Sequence, residues 1–313
     1  MSENSSDLMR EVERLKRELG ALILAHNYQI PEVQDVADFV GDSLELSLKA
    51  AEIDAKLIVF CGVDFMAEQA AIISESPVLH PDPGAKCPMA SMISIEDIRR
   101  ARREYRAPVV IYVNSPAQVK AEADYLVTSA NAVDVVKALR EDTVIFGPDK
   151  HLADYVAERT GKRVVAVPER GHCPVHVKFD PAKIRLLKSI YRGYNFLAHP
   201  ECPKEVRELA DFIGSTSQML KYVKSSRDRE FLIGTEIGII HRMLKESEGV
   251  SLIPASTEAI CEDMKRITLE KVYASLRDKV YRVEVDKEVA ARVRRALENT
   301  FKLMGVEVPW SRI

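Results

Sequence analysis

Ala25-His26-Asn27-Tyr28, followed by Ala37-Asp38-Phe39-Val40-Gly41-Asp42-Ser43, is a pattern that this chain of 313 residues writes three times. Ala37-Asp38-Phe39-Val40 returns as Ala123-Asp124-Tyr125-Leu126 and as Ala210-Asp211-Phe212-Ile213, so the aspartates stand at steps of 86 and 87 residues. Twelve residues before each aspartate come His26, Tyr112 and His199, and ten before come Tyr28, Asn114 and Glu201. Five residues after it come Ser43, Ser129 and Thr216. A period this long exceeds those of the common solenoids and propellers and points to triplication of a small domain. Polar side chains at the same place in each copy point to one shared site.

The cysteines keep the same phase. Cys87, Cys173 and Cys261 end the three copies, in Ala-Lys-Cys-Pro-Met, Gly-His-Cys-Pro-Val and Ala-Ile-Cys-Glu-Asp. Copies arranged about a pseudo-threefold axis would bring these three thiolates to one centre. The chain holds five cysteines in all, an odd number without an export signal, which favours metal or catalytic use over a disulfide framework. Cys61 and Cys202 lie outside the repeat phase and read as buried small hydrophobes or pocket-lining thiols.

Composition is that of an ordinary globular protein, 46% hydrophobic and 30% charged, with a formal charge of −3. That balance gives no reason to expect a nucleic-acid partner. Met1 to Leu19 lacks the apolar core of a signal peptide, and no apolar run approaches the roughly 20 residues of a membrane span. No membrane partner and a cytoplasmic location are therefore expected.

Within each copy, short apolar runs alternate with helical patterns. Strands are expected at Leu22 to Ala25, Asp38 to Val40, Lys56 to Cys61 and Val78 to His80. The second copy gives Val109 to Val113, Tyr125 to Val127, Thr143 to Phe146 and Val164 to Val167. The third gives Phe196 to Ala198, Phe212-Ile213, Phe231 to Gly234 and Ser251 to Ile253. This is an α/β pattern of parallel sheets covered on both faces, and each copy is expected to be a four-stranded α/β/α sandwich. The three sandwiches would form a triangle about a pseudo-threefold axis. The repeats are placed at 1–87, 88–173 and 174–261. Residues 262–313 are expected to pack back on the first repeat, with helices at Thr268 to Leu276 and Lys287 to Met304 and a strand at Tyr281 to Val285.

Ligands of parallel α/β sheets sit beyond the carboxyl ends of the strands. That places His26 and Tyr28, Tyr112 and Asn114, and His199 and Glu201 around one cavity. Ser43, Ser129, Ser215 and Thr216 fall at helix starts, where hydroxyls and free backbone N–H groups suit phosphate or carboxylate. His176 follows Cys173 by three residues and should face the same centre. Glu201 is the only carboxylate in the strand-end set, which makes it the natural general acid or base. Three thiolates could hold zinc with a water or histidine as fourth ligand, or an iron-sulfur cluster. No C-x-x-C pair is present, and single cysteines some ninety residues apart suit a larger object at a domain junction. Three ligands for four irons would leave one iron open as a Lewis acid.

The chain resembles the quinolinate synthases over nearly its whole length. The resemblance is carried by Ala-His-Asn-Tyr at 25–28, Gly-Asp-Ser-Leu-Glu-Leu-Ser at 41–47, Phe-Cys-Gly-Val-Asp-Phe-Met-Ala-Glu at 60–68 and Tyr-Val-Asn-Ser at 112–115. Gly-His-Cys-Pro-Val-His at 171–176, His-Pro-Glu-Cys at 199–202, Gly-Ser-Thr-Ser at 214–217 and Met-Lys-Arg-Ile-Thr-Leu-Glu at 264–270 add to it. It implies a transferase of NAD biosynthesis that condenses iminoaspartate with dihydroxyacetone phosphate to quinolinate, losing phosphate and two waters. It further implies one 4Fe-4S cluster on Cys87, Cys173 and Cys261, and a partner enzyme that supplies iminoaspartate. Catalysis would fall to Glu201, Tyr28, His199 and Tyr112. Substrate binding would fall to His26, Ser43, Tyr112, Asn114, Ser129, His176, His199, Glu201, Ser215 and Thr216. Ala130 stands where many relatives carry a second serine, and the tail lacks the clustered cysteines that some carry near Cys261, so no redox disulfide is expected there. Two other readings of an iron-sulfur chain are an aconitase-like hydro-lyase and a sensor without catalysis. A sensor would need an output surface such as a basic DNA-reading helix, and none is evident.

Overall fold

The computed structural model describes residues 3–308, apart from residue 54, together with Trp310. The remaining positions, which fall within 1–87 and 262–313 of the expected division, lie outside the described residues. The first sheet holds β1 (Ala21–His26), β2 (Phe39–Gly41), β3 (Leu57–Cys61) and β4 (Val78–Leu79). The second holds β5 (Val109–Tyr112), β6 (Tyr125–Val127), β7 (Thr143–Gly147) and β8 (Arg163–Ala166). The third holds β9 (Asn195–Ala198), β10 (Phe212–Ile213), β11 (Glu230–Gly234) and β12 (Ser251–Pro254). Each is a parallel four-stranded sheet with the same order, β2-β1-β3-β4, β6-β5-β7-β8 and β10-β9-β11-β12.

The central strands are unbroken apolar runs because both of their faces are covered. In the third sheet Phe196, Ala198 and Leu232 enter one packed layer, while Leu197, Phe231 and Ile233 enter the other. Cys61 and Cys202 belong to these cores and are fully buried. In each sheet the chain crosses over in opposite directions on either side of the first strand. The crevice at the carboxyl ends of the first and third strands is then the natural ligand position.

The repeated aspartate fixes strand to strand. Asp38 accepts the Ile23 N–H at 2.7 Å, Asp124 that of Val109 at 2.8 Å and Asp211 that of Phe196 at 2.8 Å. The backbone N–H of each aspartate returns a bond to the carbonyl of the same partner. A cation from the helix before each sheet completes the unit: Lys16 with Asp38, Arg102 with Asp124 and Lys188 with Asp211, at 2.8–3.0 Å. The most regular element of the repeat is thus structural.

A second threefold set joins the repeats to one another. Gln34, Lys120 and Arg207 stand in equivalent short helices (Pro31–Val36, Ala117–Lys120 and Lys204–Arg207) and are 4%, 0% and 3% exposed. Gln34 Nε2 donates to Gly238 O of the third repeat at 2.9 Å. Lys120 Nζ donates to Phe65 O and Gln69 Oε1 of the first, at 3.1 and 3.0 Å. Arg207 donates to His151 O and both oxygens of Glu158 in the second, at 2.6–3.1 Å. The contacts run first to third, third to second and second to first, which closes a ring. Burying such long polar side chains is tolerated because most of their donors find partners, although Arg207 Nε has none.

The tail differs from expectation in two places. The helix Leu269–Asp278 packs on Glu3–Leu19 and β3 of the first repeat, but Lys287–Leu303 lies along β6 and Ala117–Lys120 of the second repeat as well as on Asp64–Ile73. The physical reason is the open edge of β6: Thr300 Oγ1 accepts the Leu126 N–H and donates to the Leu126 carbonyl, capping groups that no strand pairs. The strand expected at Tyr281 to Val285 shrinks to one antiparallel bridge, Arg282 to Leu79, along the edge of the two-residue β4. No helix among the described residues is long and apolar enough to cross a membrane.

Replacing Asp124 by alanine strips a buried strand N–H of its acceptor. The expected cost is about 1–3 kcal/mol, read as a lower urea midpoint of unfolding. An unchanged midpoint would contradict the strand-fastening role.

Candidate active site

The carboxyl ends of the three sheets converge on one cavity. From the first repeat His26, Tyr28 and Ser43 line it, from the second Tyr112, Asn114 and Ser129, and from the third His199, Glu201 and Thr216. Cys87, Cys173, Cys261 and His176 complete the wall. Ser215 is the exception among the expected residues: it caps the helix Thr216–Ser225, accepts the Gln218 N–H at 3.3 Å and points its hydroxyl at Asp42.

Local backbone geometry orients the two histidines alike. His26 Nδ1 accepts the Tyr28 N–H at 3.2 Å, and His199 Nδ1 accepts the Glu201 N–H at 3.3 Å. A neutral ring whose Nδ1 accepts carries its proton on Nε2, so each offers an Nε2–H donor. Burial holds both imidazoles down to about 3, which keeps them neutral at ordinary pH.

Glu201 is the electrostatic centre of the cavity and is 3% exposed. Tyr112 OH donates to its Oε1 at 2.6 Å, and His176 Nδ1 lies 2.8 Å from its Oε2. Burial alone would push this carboxyl up. A proton on the neighbouring His199 or His176, together with the Tyr112 hydroxyl, pulls it the other way, below the usual carboxylate range. His176 and His199 stack with ring centres 4.5 Å apart. Burial and the Glu201 charge push the hydroxyls of Tyr28 and Tyr112 well above 10, so both remain proton donors.

Thr235 was not legible as a site residue, yet its hydroxyl lies 2.6 Å from Tyr28 OH and 2.9 Å from His176 Nε2, joining the two across the repeats. Its signal is its place directly after β11. Asn114 Oδ1 is buried with no hydrogen-bond partner, an acceptor left open at the cavity wall. Thr216 Oγ1 accepts from Asn27 Nδ2 at 2.9 Å, and Arg242 Nη1 in turn donates to Asn27 Oδ1 at 2.7 Å.

The helix starts are not bare. Asp42 caps Ser43–Glu52 by taking the N–H groups of Leu44 and Glu45, and Ser215 caps Thr216–Ser225. The hydroxyls of Ser43 and Thr216 face the cavity from the first turns of their helices, whereas Ser129, expected at a helix start, lies in the loop before Ala132–Ala138, whose cap is Asn131. The expectation of free backbone N–H donors is corrected accordingly.

The three wall cysteines are free thiols contributed one by each repeat. Burial pushes the thiols of Cys87 and Cys173 up and that of Cys261 up to about 11. Cys173, His176 and Glu201 also bring one ligand atom each within 4.8 Å of the others. A set of three thiols with further donors beside it fits a metal centre that keeps a coordination position for substrate.

Comparison with known sequences agrees with this geometry. The family described as quinolinate synthetase A protein matches residues 10–302. The quinolinate synthase of Pyrococcus horikoshii is 50% identical over 299 residues, covering 95% of this chain and 99% of the relative. That of Methanothermobacter thermautotrophicus is 51% identical over 301 residues, 95% of this chain and 99% of the relative. That of Thermotoga maritima is 48% identical over 300 residues, 95% and 100%. With one family spanning the three repeats and the cavity they share, this chain belongs to the quinolinate synthases, transferases of NAD biosynthesis.

Proposed function

We propose that the cavity condenses iminoaspartate with dihydroxyacetone phosphate to give quinolinate, phosphate and two waters, with a 4Fe-4S cluster held by Cys87, Cys173 and Cys261. The observation that carries this reading is the wall of three thiols, one from each repeat, sharing a cavity with the buried carboxylate of Glu201. When bound, the cluster supplies a Lewis acid at the iron without a protein thiolate.

The residues of the chain account for the rest. Both substrates are anionic, and Ser43, Ser129 and Thr216 supply hydroxyl donors on three sides, with Nε2–H of His26 and His199 beside them. Asn114 adds an unpartnered acceptor and the amide donors of the same side chain. Enolisation, isomerisation and two dehydrations require a group that takes protons from carbon and delivers them to departing oxygen. Glu201 begins ionised and so can accept, and anionic substrate in the same cavity raises its proton affinity by like-charge repulsion. Tyr112, at 2.6 Å, keeps Oε1 in place during the exchange, with His176 Nδ1 2.8 Å from Oε2. Tyr28, bonded to Thr235, is a neutral donor on the facing side. Delivery of iminoaspartate would fall to the enzyme that makes it.

Glu201→Gln retains the shape and removes the titrating group. Turnover is expected to fall at least about a hundredfold with substrate binding near normal, and turnover within a few-fold of the parent would rule out the role. Thr216→Ala and Ser43→Ala each remove a donor to an anion, for which about a tenfold loss of substrate affinity is expected by titration. Unchanged affinity in both would sink the shared-site reading. Cys87→Ser, Cys173→Ser or Cys261→Ser is expected to lose the iron complement, whereas Cys61→Ser and Cys202→Ser should keep it. Full iron content in any of the first three would overturn the ligand assignment.

A further inference from the structure

Three carboxylates recur at nearly the spacing of the cysteines, 23, 24 and 25 residues before them, and have no part in the chemistry above. Asp64 and Glu236 follow β3 and β11 by three and two residues, and Asp149 follows β7 by two. Each accepts the backbone N–H of the cysteine of its own repeat: Cys87 to Asp64 Oδ1 at 3.4 Å, Cys173 to Asp149 Oδ2 at 3.0 Å, and Cys261 to Glu236 Oε1 at 3.1 Å. Each also takes an N–H from the chain that follows its strand. Asp64 Oδ1 accepts from Phe65 at 2.8 Å, Asp149 Oδ1 from Leu152 at 2.7 Å and Glu236 Oε2 from Gly238 at 2.7 Å.

One carboxylate therefore ties a long irregular cysteine loop to the rigid end of a central strand. The same segments are gripped from the neighbouring repeat, at Phe65 O by Lys120, His151 O by Arg207 and Gly238 O by Gln34. Asp149 and Glu236 are fully buried, a costly placement for a carboxylate unless its oxygens are used. Glu236 is further paired with Lys265 at 2.7 Å, and Lys265 Nζ also donates to the Tyr28 carbonyl. The three loops would otherwise have to find a common geometry independently, and cluster ligands tolerate errors of only about 0.5 Å.

We propose that Asp64, Asp149 and Glu236 are positioning residues that set the three cysteine sulfurs in mutual register for the cluster, through the cysteine N–H groups. The proposal rests on the reading that Cys87, Cys173 and Cys261 hold that cluster. In Asp149 and Glu236 the two bonds use different oxygens, so an amide, with a single acceptor, can keep only one of them. In Asp64 one oxygen takes both, so an amide can keep both.

The test is the rate at which the anaerobically reconstituted full chain gives up iron to a chelator, with the thermal midpoint of the iron-free chain measured alongside. Asp149→Asn, Glu236→Gln and Asp64→Leu are expected to release iron about 10–100-fold faster than the parent, the usual effect of removing support behind a metal ligand. Asp64→Asn is expected to release it at close to the parental rate. Lower midpoints in the first three variants with parental release rates would mean a merely structural role and overturn the proposal, as would equally fast release from Asp64→Asn and Asp64→Leu. Should Asp149→Asn fail to fold, the half-buried Asp64 pair decides alone. Cys173→Ser serves as the control: if it retains iron, the cysteine reading has failed. If it loses iron while Asp64→Leu and Glu236→Gln hold theirs like the parent, only the positioning role has failed.

Discussion

The bond from each cysteine N–H to a carboxylate at the end of its repeat's third strand is the constraint on which the site depends. On the proposed cluster reading, three residues some 86 to 88 positions apart present sulfur to one point, and nothing in their own loops is regular enough to place them. The sheets supply the rigid ends, and the repeated aspartates Asp38, Asp124 and Asp211 lock each second strand to the first. Gln34, Lys120 and Arg207 then fix one repeat against the next. Errors in any of these links would accumulate at the shared cavity.

The pseudo-threefold frame holds unlike chemistry at like positions. His26, Tyr112 and His199 occupy one position of the repeat, and Tyr28, Asn114 and Glu201 another. Only the third copy offers a carboxylate, and the Tyr112 of the second copy is its closest donor. The result at these positions is one carboxylate among imidazoles and phenols, with Asp42 also on the cavity wall. On the proposed reading, such a cavity binds anions through its hydroxyl and imidazole donors and exchanges protons at Glu201, a separation of tasks that three identical copies could not provide.

Much of this was legible in the sequence because repetition makes weak signals add. A lone Ser43 or His26 means little, but the same place filled by a polar residue in three copies marks a cavity, and the strands expected within the three repeats lie within a residue or two of those observed. Other features were hidden for definite reasons. Asp64, Asp149 and Glu236 look like solvated helix-start acids, and only their spacing of 85 and 87 residues, close to that of the cysteines, would have singled them out. Thr235 has no polar counterpart in the first copy, where Val63 follows Gly62. The helix Lys287–Leu303 was assigned to the first repeat because its apolar stripe does not say which edge it covers; the unpaired groups of Leu126 decide that. Ser215 shares the sequence signature of a ligand hydroxyl with Thr216, and capping geometry separates them.

The central claim is that three repeats lend one thiolate each to a single cluster beside Glu201. Its most direct test is the iron and acid-labile sulfide content of the anaerobically reconstituted parent chain. The account predicts about four of each per chain. A single zinc without labile sulfide, which three thiolates and one further donor could also hold, would contradict it.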